Sequence, residues 1–185
     1  MPLLKATIFK VLFFLIILIC FPFCGQKSQR ESSIKKEAFN KSKVEEVETS
    51  FFIEMGNIVN SMLSKSQIAQ QKSSESKVLD VSKKIENHQN QLLQQVTEMA
   101  NKKLIIVTDI NASHNDELLQ LNTVSSVNFN RAYLNSMVKA LKQQIKLFEN
   151  ISKETNDEMI LKLVLQYLPE QYQLLRETEQ IKNEF

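Results

Sequence analysis

The sequence predicts an all-α fold, an antiparallel up-and-down four-helix bundle behind an N-terminal hydrophobic signal or anchor helix. Three observations predict it. The 185 residues include 2 Gly and 3 Pro, and Pro2 and Pro22 both lie in the N-terminal region. So few turn-formers do not punctuate a many-stranded β fold, but they serve a few long helices. Lys, Glu, Gln, Leu, Asn and Ser dominate the remainder, a composition suited to amphipathic helices. Beyond the N-terminus, apolar residues recur at steps of three and four through four successive stretches. A formal net charge of +2 provides no field for nucleic acid, and no nucleic-acid partner is expected. Both cysteines, Cys20 and Cys24, sit at the end of the N-terminal apolar run. The rest of the chain therefore has neither a disulfide framework nor a thiol metal site.

Residues 1–24 read as a signal peptide or membrane anchor. Lys5 and Lys10 precede the apolar stretch Val11 to Phe23, the order of a secretory signal. A bilayer-spanning helix needs about 20 apolar residues. Extending back to Ala6 approaches that length across Lys10, so an uncleaved anchor is an alternative. Phe21-Pro22-Phe23-Cys24-Gly25 resembles a bacterial lipoprotein junction, in which Cys24 would carry the lipid. Phe23 departs from the small residue such a junction has at that place, and plain export or a retained anchor are the other readings. Residues 25–43 read as a polar, basic tether, with Ile34 and Phe39 as its only large apolar side chains, too little to fold alone. Its basic residues suit a solvated spacer, or one resting on anionic lipid.

Residues 44–185 read as the bundle domain. The first helix, about Val44 to Gln71, has the stripe Val47, Phe51, Met55, Ile58 and Met62. The second, about Ser76 to Lys102, has Val78, Val81, Ile85, His88, Leu92, Val96 and Met99, with His88 where a core residue belongs. Leu104 to Val107 is β-branched and apolar, and reads as an extended strap over the bundle end. A short helix starts at Ser113, with Leu118, Leu119 and Leu121 as its apolar face. Ser126 or Asn128 opens the third long helix, to about Ile151, on the stripe Phe129, Tyr133, Met137, Leu141, Ile145 and Phe148. Thr155-Asn156-Asp157-Glu158 reads as a capping box for the last helix, whose stripe is Met159, Ile160, Leu163, Val164, Tyr167, Leu168, Tyr172, Leu175, Thr178 and Ile181. Pro169 falls inside it and predicts a kink.

The run Asn128-Phe129-Asn130-Arg131-Ala132-Tyr133-Leu134-Asn135-Ser136-Met137-Val138-Lys139, with Lys146-Leu147-Phe148-Glu149 and Leu168-Pro169, resembles a family of secreted bacterial ferritin-like helical domains of unknown function, the domain-of-unknown-function 4142 family. The resemblance covers about Phe51 to Ile181 and implies the same bundle, exported. It also implies histidines at three places. Of these only the first is matched, by Asn87-His88; Ala140-Leu141 and Leu174 stand at the others.

Candidate chemistry is sparse. A di-iron bundle site needs two Glu-x-x-His motifs facing inward. Ile85 and Asn111 stand three residues before His88 and His114, so neither motif exists. His88 is a weak metal candidate, better read as a hydrogen-bonded core or boundary histidine. Asp109-Ile110-Asn111-Ala112-Ser113 imitates the start of an EF-hand loop, but His114 and Gln120 replace its Gly and Glu. There is no nucleophile elbow and no phosphate loop. Arg131 is the candidate contact for an anion or partner, against a salt bridge within the bundle. Tyr133 and Tyr172 read as core residues with a polar tip. The expectation is a non-enzymatic, cofactor-free binding or scaffolding domain. It would be exported to the cell envelope, on the periplasmic or surface side, held to the membrane through its N-terminus, and engaging an unknown envelope protein or ligand. The alternative is a metal-handling or stress-related protein with a degenerate ferritin-like site.

Overall fold

The computed structural model describes the backbone of residues 27–107 and 112–185, and the side chains of residues 42–107 and 115–185. The expected signal segment, Cys20, Cys24 and the loop residues Asp109 to Asn111 lie outside the described residues, as does the His114 side chain. The described part is all-helical, with α1 (Lys27–Lys72), α2 (Ser76–Lys102), α3 (Ala112–Thr123), α4 (Ser126–Glu154) and α5 (Glu158–Lys182). No strand occurs among the described residues, and none of their helices is long and apolar enough to cross a membrane. α1 begins at Lys27 rather than near Val44, so most of the expected tether is helical in its backbone. The chain divides into two units at Lys43 and Val44; the description below concerns Val44–Phe185.

The helices form where the sequence periodicity put them, because each buries one apolar face. In α2, Val78, Val81, Ile85, Leu92 and Val96 are buried, and in α4 Phe129, Tyr133, Met137, Leu141 and Phe148. Contacts between helices fix their neighbours. Gln70 of α1 donates to Glu86 of α2 at 2.6 Å. Lys77–Glu184, Lys84–Glu177 and His88–Glu170 join α2 to α5, stepping up one helix as they step down the other. Lys142–Glu179 and Tyr172–Glu149 do the same for α4 and α5. Phe51–Phe148 and Ser66–Tyr133 link α1 to α4 in opposite order.

The core consists of two apolar clusters. One holds Phe51, Phe52, Met55, Leu92, Phe148 and Tyr167 among others. The other holds Met62, Ile85, Phe129, Tyr133, Leu141 and Leu174 among others.

α2 ends in a Schellman turn. Ile105 N–H donates to Ala100 O at 2.9 Å and Leu104 N–H to Asn101 O at 3.0 Å, so orphan carbonyls of the last turn are bonded. Leu104 takes the left-handed position, at φ 58°, with its side chain 91% exposed. Ile105 and Val107 then pack against the first cluster, as a strap would. Val107 explains Gly56: a Cβ there would stand 2.2 Å from Val107 Cγ1, so only glycine admits the strap at this point of α1.

The last helix differs from expectation in two ways. Its N-cap is Asp157, which accepts from the N–H groups of Met159 and Ile160, whereas Thr155 Oγ1 accepts from Asp157 N–H at 3.0 Å. Its buried face is Ile160, Leu163, Val164, Tyr167, Gln171, Leu174 and Thr178, one continuous helical stripe through Pro169. Tyr172 is 37% exposed and gives its hydroxyl to Glu149 rather than entering the core. Pro169 and Leu165, whose carbonyl the proline leaves unbonded, both lie exposed.

Candidate functional site

A groove of about 540 Å³ runs between the second half of α2 and the first half of α5. Gln91, Gln94, Gln95 and Gln166 supply amides along it, while Met99, Met159, Leu163 and Tyr167 form its apolar floor. α2 projects Gln91, Gln94 and Gln95 just beside its buried Leu92 and Val96. The first half of α5 is apolar on nearly every side: of Met159 to Leu168, only Lys162 and Gln166 are polar. Ile160, Leu163, Val164 and Tyr167 enter the core. Met159 stays 48% and Leu165 77% exposed, more apolar surface than a free helix face usually presents.

His88 lies behind the groove residue Tyr167. Its side chain is 10% exposed, and Nε2 lies 2.9 Å from Glu170 Oε2. The approach is off the line of a ring hydrogen bond, so the two groups touch without an aligned bond, and the pair is ionic only when the ring is protonated. Its ring meets Tyr167 edge-on at 5.3 Å, and Nδ1 is 3.4 Å from Gln89 Nε2. Burial lowers the His88 pKa, against the opposing pull of Glu170. His88 is thus a boundary histidine on the α2–α5 seam, and the residue that fills its expected place in the stripe is Gln89, fully buried. Among the described residues no group of three His, Cys, Asp or Glu is placed to hold a metal ion.

Gln89 belongs to a polar layer that sequence periodicity missed. It exchanges two hydrogen bonds with Gln144 of α4, at 3.1 and 2.7 Å, both side chains fully buried. Gln171 of α5 is also fully buried. In α2 and α5 the signal for this layer is a heptad-long gap between buried apolar residues, Ile85 to Leu92 and Tyr167 to Leu174, each enclosing one of these glutamines on the inner face; in α4 Ile145 stands beside Gln144 and hides it. Tracing hydrophobicity alone steps around them, to His88 and to Tyr172.

Arg131, the expected anion contact, is exposed on α4 and donates from its guanidinium to the main-chain oxygen of Phe185. The anion-like group it meets here is therefore the chain's own backbone. Two ionic clusters were not foreseen. Lys65, 2% exposed on α1, reaches Glu117 of α3 at 2.7 Å, and Lys139 of α4 reaches the same carboxylate at 2.8 Å. Burial works against the Glu117 charge, but the two ammonium groups outweigh it and hold its pKa down at about 2. At the other end, Lys103 joins Glu48 of α1 at 2.8 Å and the cap Asp157 at 2.7 Å. The Lys103 hydrogen bond is the main reason the Asp157 pKa lies low. Neither cluster includes a nucleophile, and both tie helix ends to neighbours.

Residues 35–181 match the family described as Domain of unknown function (DUF4142). Among solved structures, the chain is similar to the DUF305 fragment from Deinococcus radiodurans, with a TM-score of 0.68 and 16% identity, over 75% of this chain and 97% of that one. At that identity the likeness is one of fold alone. No curated protein matches the chain.

Proposed function

This chain belongs to the DUF4142 family of domains of unknown function, and on that premise we propose that it is a non-enzymatic binding or scaffolding domain of the cell envelope, exported and held to a membrane through its N-terminus. The domain from Val44 onward is read as a ferritin-like four-helix bundle in up-down-down-up order, with α1 and α5 running opposite to α2 and α4, rather than in the up-and-down order that the sequence suggests. That reading is supported by the reversed residue order of the pairs joining α2 to α5, α4 to α5 and α1 to α4.

The observation that carries the binding role is the α2–α5 groove, with four glutamine amides over an apolar floor. Amides donate and accept without charge, and Glu98, Lys102 and Lys162 also line the groove, so this surface suits a hydrogen-bonding partner with polar or charged groups around an apolar contact to cover Met159. The test is crosslinking and affinity capture of the full-length protein from its native envelope, beside a Gln94→Lys/Gln166→Lys double variant. A specific partner or ligand retained by the parent and lost by the variant is the expected result. Capture unchanged in the variant removes the groove from the proposal, and no specific partner at all removes the binding role. Attachment is tested separately by metabolic labelling with a lipid precursor. Label present in the parent and absent in Cys24→Ser makes the anchor a lipid; no label in either removes the lipid and leaves a retained apolar segment or plain export, which the presence or loss of residues 1–24 in the mature protein separates.

A further inference from the structure

Gln171 presents a problem that the protein alone does not solve. Its side chain is fully buried, yet neither Nε2 nor Oε1 meets a hydrogen-bonding partner. Leaving one such group unmet destabilises the folded state, and this amide has two. Its position is informative. Tyr167, one turn before it, belongs to the first apolar cluster, and Leu174, one turn after it, to the second. Gln89 lies likewise between Ile85 of the second cluster and Leu92 of the first, and Gln144 between Leu141 and Phe148. Three helices thus put a glutamine at the same seam, and the apolar core is interrupted there by a layer of amides.

The Gln89–Gln144 pair satisfies itself only in part. Each amide carries two N–H donors and an oxygen with two lone pairs; the reciprocal bonds use one donor and one lone pair on each side, and Gln89 Nε2 also meets His88 Nδ1 at 3.4 Å, which leaves a Gln144 donor and one lone pair on each oxygen. The pair therefore keeps a donor and acceptors in reserve at the level where Gln171 lacks both. A buried water takes two to four polar partners and meets such groups, and it is the smallest species that both donates and accepts.

We infer that the glutamine layer is a hydration site: an internal water bridges Gln171 to the Gln89–Gln144 pair between the two apolar clusters. The route of exchange is the α2–α5 seam. His88 and Glu170, each next in sequence to a layer glutamine, stand at that edge 2.9 Å apart. Tyr167 touches the His88 ring and also lines the groove, so the layer lies one side chain from open solvent. The site takes a neutral hydrogen-bonding species of water size, since the walls on either side are apolar and the amides carry no charge.

The test is water–protein cross-relaxation NMR on the full-length protein in detergent, with 15N in glutamine side chains only. The expected result is a cross-peak between water and the Gln171 Nε2 protons, with the sign of a water resident for longer than the tumbling time. The Gln171 signal is assigned by its loss in Gln171→Met or, should that variant fail to fold, in Gln171→Glu. Persistence of the cross-peak in Tyr167→Phe excludes transfer relayed through the tyrosine hydroxyl and upholds the site; its loss there overturns it. Absence of the cross-peak in the parent protein overturns it too, and the layer is then dry.

Discussion

His88 is held against Glu170, but burial decides its protonation. A base whose pKa is lowered by folding binds fewer protons folded than unfolded. Stability is then full above the ordinary histidine value of 6.5 and declines as pH falls from there toward the lower folded value. The carboxylates of Glu117 and Asp157 lose their contribution only at lower pH, Glu117 toward about 2, and so stay out of this window. His88→Gln is expected to lose part of the decline between neutral pH and about pH 5.5, read as the change in urea midpoint. An identical decline in parent and variant refutes the assignment; His114 is common to both. Gly56 gives a second residue-scale prediction. Alanine there improves helix propensity by about 1 kcal/mol, but overpacking a core contact costs about 1–3 kcal/mol. Since the new Cβ would stand 2.2 Å from Val107 Cγ1, Gly56→Ala is expected to destabilise by about 1 kcal/mol net. In the Val107→Ala background the same change is expected to stabilise. A loss of equal size in both backgrounds, measured by urea unfolding, counts against the contact.

At the scale of elements, helix existence was legible because it rests on periodicity, and periodicity survives single exceptions. α2 and α4, and α5 as far as Tyr167, bury the faces that their steps of three and four mark out. What escaped were the exceptions. Gln89, Gln144 and Gln171 sit on inner faces, and a reading that assigns polar residues to solvent passes them by, moving the stripe of α5 onto Tyr172. The cap of α5 shifted from Thr155 to Asp157 because both precede the helix with side-chain oxygens, and only the local φ and ψ choose between them. The groove was illegible for another reason: it combines the outer residues of two helices far apart in sequence. The end of α2 offers a test at this scale. Leu104 holds a left-handed backbone, φ 58°, at the position where glycine is commonest. That conformation costs a residue with a Cβ about 1–2 kcal/mol, and the exposed leucine side chain recovers little of it. Glycine gives back part through the entropy of the unfolded chain. Leu104→Gly is therefore expected to stabilise the protein by roughly 0.5–1 kcal/mol, seen as a higher midpoint of thermal unfolding; a lower midpoint would mean that the Leu104 side chain makes a contact worth more than the strain.

For the whole molecule, the stabilising contacts begin close to the division at Lys43 and Val44. The apolar clusters draw on Val47 and then on Phe51 onward. The ionic cluster around Lys103 starts with Glu48, which is 6% exposed and also accepts from Thr155. The residues from Val44 to Phe185 thus contain both apolar clusters, the glutamine seam between them and both ionic clusters. A domain of that size commonly unfolds in one cooperative step. A fragment spanning residues 44–185 is accordingly expected to unfold in one transition, with its midpoint within about 3 °C of the full-length chain in the same detergent, since roughly 1 kcal/mol shifts the midpoint by about that much at this size. Coincident thermal curves from circular dichroism and from calorimetry are the check. A larger drop, or a second transition in the full-length chain that the fragment lacks, would mean that residues before Val44 add packing of their own. With a coincident midpoint, the groove and the glutamine layer belong to a unit that folds by itself, and the segment before Val44 is free to serve attachment without bearing on the stability of the site.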